Sequence, residues 1–241
     1  MVVNYVIIIY NILPITLIAL RQIIEYGGST VNKLEFIYNR KSVRSFTEQP
    51  VPESDLEEII KAATYAPSGK NKQNWHFVIV KNRQKVADIA KAVDDKNAAL
   101  AALLDEEKGK ALRGMAGYHT VFKKAPVVIL AFAGPYPNVI DDFAGSDALS
   151  PAELDILAKP HPGVQNVAAA MENLLLAAAA LGYGTCWMTG PTYAAAEIAE
   201  IIGFAKPGYH LAALTPLGVP AEGKYTNPPR KAVAEVITII D

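Results

Sequence analysis

Cysteine is almost absent from this 241-residue chain. Cys186 stands alone, so neither an intrachain disulfide nor a Cys-x-x-Cys redox or zinc motif can form. That usage fits a reducing compartment, and a cytoplasmic location is the expectation. Histidine is scarce too: His76, His119, His161 and His210 lie far apart with no second ligand at helical spacing, which leaves a metal site unsupported. Long runs of one charge are missing. With 23 Lys+Arg against 24 Asp+Glu the net charge is −1, whereas a nucleic-acid binder draws its affinity from clustered cations that neutralise phosphates. What is present is apolar: 51% of the residues, enough for one full-sized domain with a well-buried core, or two small ones, and too many for a disordered or collagen-like chain.

Charge is also missing from residues 1–20, MVVNYVIIIYNILPITLIAL. A helix of that length spans about 30 Å, the thickness of a bilayer core, so one reading is a membrane anchor. Pro14, Asn4, Asn11 and the β-branched composition oppose a helix there. A secretory signal lacks its leading basic residue and its small-x-small cleavage site. The other reading is a non-native segment, with translation starting near Val31 or Leu34. Both stay open, and residues 1–33 are set apart as an extension from a domain over 34–241.

Past Gly27-Gly28-Ser29, the spacing of Leu56, Ile59, Ile60 and Ala63 predicts a helix with Ser54 as N-cap and Glu57 as its capping-box partner, ending by Ala66 before Pro67. HFVIVK (76–81) and PVVILAFA (126–133) read as buried strands, and 84–113 as helical. Residues 134–163, punctuated by glycine and proline, read as a long irregular span carrying one short helix begun by Ser150, Pro151 and Glu153. The stretch 164–181 is apolar on almost every side apart from Gln165, Asn166, Glu172 and Asn173, the pattern of a mostly buried helix that Gly182 caps. A helix over 192–202, a strand over 211–218, the Pro-rich NPPRK and a last apolar strand over 232–240 follow. The Gly182–Gly184 pair follows a helix, the wrong order for a Rossmann fingerprint.

Three clusters carry candidate chemistry. In Arg40-Lys41-Ser42-Val43-Arg44, a helix would put both arginines on one face, where like charges repel unless an anion lies between them; with the Ser hydroxyl this makes a phosphate clamp. A solvated basic face is the alternative. The loop from Ala66 to Trp75, with Ser68, Asn71 and Gln73, can present donors and acceptors to a heteroaromatic ring, with Gly69 allowing close backbone approach, or can be an ordinary connection. The run from Gly182 to Pro191 can lay extended backbone along a planar cofactor, or be a strand with a core Trp. No His or Lys stands near Cys186 in sequence to activate it, so it reads as a buried, inert thiol.

Taken in order, RKSVRSF, PV-x-x-x-x-L-x-x-I-x-x-A-x-x-APS-x-x-N-x-Q-x-W-x-F, an Ala/Leu helix into LGYGTCW, and PPRK resemble the nitroreductase family of FMN-dependent oxidoreductases from about Leu34 onward. One departure is visible: Gln73-Asn74-Trp75 stands where that family usually has Gln-Pro-Trp. The resemblance implies an α+β fold, with a central mixed β-sheet flanked by helices, in an intertwined homodimer whose active sites lie in the subunit interface and whose C-terminal tail wraps the partner. It implies that Arg40, Lys41 and Ser42 hold the FMN phosphate and ribityl chain, that Arg44 lies near the pyrimidine edge of the ring, and that Arg230 reaches the phosphate. Pro67, Ser68, Gly69 and Asn71 would contact the flavin of the other subunit. Cys186, Trp187, Met188, Thr189 and Gly190 would face its dimethylbenzene and N5 side.

By the same resemblance, hydride passes from NAD(P)H through flavin N5 to a small acceptor such as a nitroaromatic or quinone, in ping-pong fashion. Arg44 would stabilise the reduced flavin. The scheme requires no dedicated acid or base; His76, His161 and Asp142 could protonate product but read equally as core or surface residues. Reductive dehalogenation and flavin fragmentation use the same scaffold. A non-catalytic flavin or phospholigand binder, held at a membrane by residues 1–20, is the reading from another class.

Overall fold

A computed structural model of the protein describes residues 33–143, 145–223 and 225–240. The anchor and late-start readings of residues 1–20 lie outside them. Among the described residues no helix is long and apolar enough to cross a membrane. Chain contacts divide the protein into Met1–Asn39 and Arg40–Asp241. The described part of the first unit is essentially one short helix, α1 (Glu35–Asn39), with no buried residue.

The second unit is organised by β2 (Val127–Ala133), every residue of which is buried. It lies between β1 (Trp75–Val80) and β4 (His210–Gly218), with β3 (Gly184–Thr185) beyond β4, in the order β1-β2-β4-β3. All three ladders are antiparallel, so the sheet is antiparallel where a mixed one was expected; the bridge between Ser42 and Thr185, outside the named strands, is parallel. Because both faces of β2 are covered, its sequence is apolar without alternation. Val127, Ile129, Ala131 and Ala133 face one core cluster, and Val128, Leu130 and Phe132 face another.

The first cluster is completed by α2 (Glu53–Thr64) and α7 (Pro162–Ala180), through Leu56, Ile59 and Ala63 and through Val167, Ala170, Met171, Leu174 and Ala178. The second is completed by α3 (Arg83–Ala102) and α8 (Ala195–Ile202), through Val86, Ile89, Val93 and Ile198. The architecture is thus α+β, a sheet between two helical layers. A bulge in β4 between the partners of Ala131 and Phe132 returns Leu211 and Leu214 to the same face.

Four local expectations are corrected. Ser54 is not the cap of α2: Pro52 occupies that position, and the Ser54 hydroxyl donates to Asp55 Oδ1 at 3.3 Å. Pro52 presets the entering backbone at φ −58°, while Glu53 and Asp55 meet the positive end of the helix dipole. The helical stretch 84–113 is two helices, α3 and α4 (Glu106–Gly114), because Asp105 accepts a hydrogen bond from Lys108 N and starts a second helix; α5 (Ala116–His119) follows. Strand β1 is only partly buried: among the described residues no strand pairs with its second edge, and Ile79 is 37% exposed. Residues 232–240 form no strand; a 3-10 turn at Val233–Glu235 and irregular backbone leave Val236, Ile237, Ile239 and Ile240 exposed. Among the described residues no strand pairs with this segment, so the β-prone sequence has no ladder to join.

Other features stand as read. α6 (Pro151–Ala158) begins with the Ser150–Glu153 capping box. α7 ends in a Schellman motif: Tyr183 N donates to Ala178 O (2.8 Å) and Gly182 N to Ala179 O (3.1 Å), with Gly182 at φ +85°.

Candidate functional site

The basic cluster is extended, not helical, and this decides which side chains act together. Val43 N donates to Thr185 O at 2.8 Å, so residues 42–43 run beside β3. Side chains then alternate: Val43 is buried, while Arg40, Ser42 and Arg44 share the other face. Val43 packs so closely on Gly184 that a Cβ there would lie 2.6 Å from Val43 Cβ. The side chains expected on one face of a helix are thus gathered with a period of two.

The far end of the chain supplies the opposite wall. Thr47 N donates to Val219 O (2.9 Å) and Ala221 N to Ser45 O (3.0 Å), which pairs 45–47 with 219–221. The Tyr225 hydroxyl reaches the carbonyls of Ser45 (3.1 Å) and Ala221 (2.8 Å). The following residues bend over the cluster, and Arg40, Ser42, Arg44, Thr226, Asn227, Pro228 and Arg230 line one cleft of about 400 Å³. Three guanidinium groups and two hydroxyls face it, and among the described residues no carboxylate lines it. Lys41 is exposed outside that lining.

Cys186 joins this cluster from beneath. Burial pushes its thiol up, against the opposing pull of Arg44, a hydrogen bond with Ser42 and the charge of Arg40. Its N–H donates to Thr215 Oγ1 at 3.1 Å. Along the same extended stretch Cys186 and Met188 point into the core, whereas Trp187 and Thr189 are exposed. Gly190 lies against His119, whose Nδ1 donates to Asn97 Oδ1 at 3.2 Å and whose burial lowers its pKa.

Pro67, Ser68, Gly69 and Asn71 do not line the cleft. They belong to a loop held on α7, where Gly69 N donates to Asn166 Oδ1 at 3.0 Å. Lys70, Asn71 and Gln73 adopt φ of 54°, 50° and 46°, a conformation disfavoured for side-chain-bearing residues and held here by the loop's own bonds, Gln73 N to Ser68 Oγ among them. The structure therefore brings the first and third clusters together and leaves the second apart within one chain.

None of the three acid candidates lines this cleft. His76 stacks on Phe204 at 5.2 Å and meets the edge of Tyr209 at 6.1 Å, and burial together with Lys206 lowers its pKa. His161, at φ 42°, lines a separate hollow of about 280 Å³ with Tyr136, Asn138 and Asp141. Asp142 lies in a 3-10 turn at Val139–Phe143. Sequence reasoning missed Thr226 and Asn227 as cleft residues, and missed the bonds that Asn74 and Asn166 make; polar residues inside the apolar 164–181 pattern were the available signal.

The sequence profile described as the Nitroreductase family matches residues 37–219. This chain belongs to that family. A crystal structure of a BluB-like flavoprotein from Clostridium difficile 630 is 38% identical, with a TM-score of 0.78 over 86% of this chain and 98% of that one. A nitroreductase with bound FMN from Bacteroides fragilis NCTC 9343 is 25% identical, with a TM-score of 0.64 over 86% of this chain and 98% of its own. A protein of Methanothermobacter thermautotrophicus, described as a candidate NADH dehydrogenase/NAD(P)H nitroreductase, is 28% identical over 83% of both chains.

Proposed function

We propose that this family member is an FMN-dependent oxidoreductase that draws reducing equivalents from NAD(P)H and delivers them to a small acceptor such as a nitroaromatic or quinone. The observation that carries the reading is the cleft that gathers Arg40, Ser42, Arg44 and Arg230 without a carboxylate. Planar guanidinium forks and a hydroxyl match the oxygens of a phosphate monoester, so the donor set fits the FMN phosphate and ribityl chain. The likeness to a flavoprotein and to an FMN-bound nitroreductase supports the same assignment.

FMN, when bound, supplies hydride acceptance and donation at N5. The chain's own residues do the rest. Arg40, Ser42 and Arg230 hold the phosphate end. Arg44 sets positive charge at the pyrimidine edge, where negative charge grows on reduction. The backbone from Cys186 to Gly190 would contact the ring of bound FMN, and Lys41 would add to the surrounding positive field. Pro67, Ser68, Gly69 and Asn71, apart from the cleft in one chain, close over the ring of a second copy. That arrangement calls for a homodimer, and the exposed apolar residues Val236, Ile237, Ile239 and Ile240 of the tail supply surface for the partner.

The test is an anaerobic titration of purified protein with NADH and with NADPH, read by flavin absorbance. A yellow protein bleached by one of them and recoloured by 4-nitrobenzoate or a quinone supports the reading; a colourless protein indifferent to added FMN overturns it. The more similar of the two solved structures is named for its flavin and for no acceptor, which favours keeping a second reading: flavin consumed as substrate. Total flavin falling during turnover in air would select it.

A further inference from the structure

We infer that Asn74 is a positioning residue that closes the neck of the 134–163 span and ties it to loop 67–73, so that one carboxamide holds both segments in place. The inference rests on the flavoenzyme reading for what loop 67–73 does at the ring, and on bonds within the chain for how the two segments are joined.

Asn74 is 5% exposed and stands where the family resemblance leads one to expect proline. Its Nδ2 donates to Gly134 O at 3.0 Å and to Gly163 O at 3.1 Å. These two carbonyls are the two ends of the irregular span. Both protons of the amide are used in pinning them together, which also fixes its orientation: turned over, its oxygen would face two other oxygens. Asn74 O accepts from Gly134 N at 2.6 Å, so backbone and side chain hold the same end.

The remaining valence leads to the other loop. Asn74 Oδ1 accepts from Asn166 Nδ2 at 2.8 Å, and Asn166 Oδ1 accepts from Gly69 N. Asn166 is 7% exposed, so the chain from Gly163 and Gly134 through two amides to Gly69 is shielded from water, where each bond is costly to leave unmade. Tyr136, just inside the neck, packs directly over Gly69, and a Cβ at Gly163 would lie 2.8 Å from Tyr136 Cβ. The two segments therefore touch as well as share a bonded core. Proline at position 74 could make none of the side-chain bonds.

The experiment is amide hydrogen exchange on the intact protein with FMN added, comparing wild type, Asn74→Ala and Asn166→Ala. In Asn74→Ala, exchange should rise at least tenfold in residues 68–73 and also in residues 135–143 and 151–162, with strand 127–133 as protected as in wild type. In Asn166→Ala only residues 68–73 should respond. If Asn74→Ala does not fold, Asn74→Asp keeps the bond from Asn166 but turns an oxygen toward the two carbonyls, and should still speed exchange in the 134–163 span. Wild-type exchange of that span in a folded Asn74 variant overturns the inference.

The same variants are assayed with NADH and 4-nitrobenzoate, where Asn74→Ala should raise the acceptor KM at least fivefold with a smaller change in kcat. An unchanged KM in a loosened protein removes the positioning role. A wild type that takes up no FMN defeats the flavoenzyme reading alone, since exchange still decides whether the two loops are joined.

Discussion

The Tyr183 hydroxyl donates to Asp55 Oδ2 at 2.5 Å, joining the first turn of α2 to the residue that follows the α7 cap. The hydrogen bond to Asp55, with some burial and the carboxylate charge, raises the Tyr183 pKa to about 12 from 10.0. A tyrosine whose folded pKa is raised contributes stability that is fully present below the unfolded value and is lost as pH rises through the folded one. Unfolding free energies from urea melts of wild type and Tyr183→Phe should therefore differ by about 1 kcal/mol at pH 8, the usual size of one such bond. The gap should shrink steadily between pH 10 and 12. A gap independent of pH across that window would show that the bond does not carry the titration.

Removing a guanidinium from the cleft should weaken the binding of FMN and leave the fold intact. A hydrogen bond to a charged group is worth about 1.5–3 kcal/mol, so Arg40→Ala and Arg230→Ala are each expected to cost about ten- to a hundredfold in FMN affinity. Fluorescence titration of flavin-stripped protein at two salt concentrations checks this, because the loss should be larger at low ionic strength. Arg44→Ala should weaken binding or lower the flavin reduction potential; no change in either would remove its assigned role.

Arg40, Ser42, Arg44 and Arg230 were legible in the sequence as candidates, but the geometry that gathers them with Thr226 and Asn227 was not. The spacing of Arg40 and Arg44 suits one face of a helix, and only the distant partner Thr185 makes the segment extended and selects Arg40, Ser42 and Arg44 over Lys41. Long-range pairing of this kind leaves no local trace. The same holds for Asn74, visible only as a departure from a motif, whose partners Gly134, Gly163 and Asn166 come from three other places in the chain. Elements with strong internal period or chemistry were readable: the apolar α7, the Ser150–Glu153 box and the continuous apolar run of β2. Ser54 misled because its capping pattern competed with a proline two residues earlier that already set the backbone.

Gly184→Ala places a methyl group against Val43 and must push residues 40–44 outward. Overpacking of this kind costs about 1–3 kcal/mol. The expected result is a lower thermal midpoint together with weaker FMN binding, measured by calorimetry with and without the cofactor. A variant that loses stability but binds FMN normally would separate the packing of Val43 from the alignment of its neighbours.

Deleting residues 232–241 removes the exposed Val236, Ile237, Ile239 and Ile240 while sparing every residue of the cleft lining. Sedimentation velocity should show the dimer of the full chain converted to monomer, with the flavin more easily lost. A full chain that sediments as a monomer would count against the shared-site arrangement.

The Cys186 thiol, raised by burial, is expected to be protonated at neutral pH and to react with iodoacetamide far more slowly than a free cysteine at pH 7.5. Reaction should accelerate only above the ordinary thiol range. Rapid alkylation at neutral pH, followed by mass spectrometry, would contradict the burial.

Arg40 and Arg230 come from the first and last stretches of the body, yet face one cleft. A ligand gripping both would act as a removable cross-link, turning an open polymer into a ring. Such closure joins the two ends of the segment from Arg40 to Arg230, and a ligand that binds only the native state adds stability in proportion to the logarithm of its concentration over Kd. The cell's supply of cofactor would then govern how long each copy of the enzyme survives, as well as whether it can react.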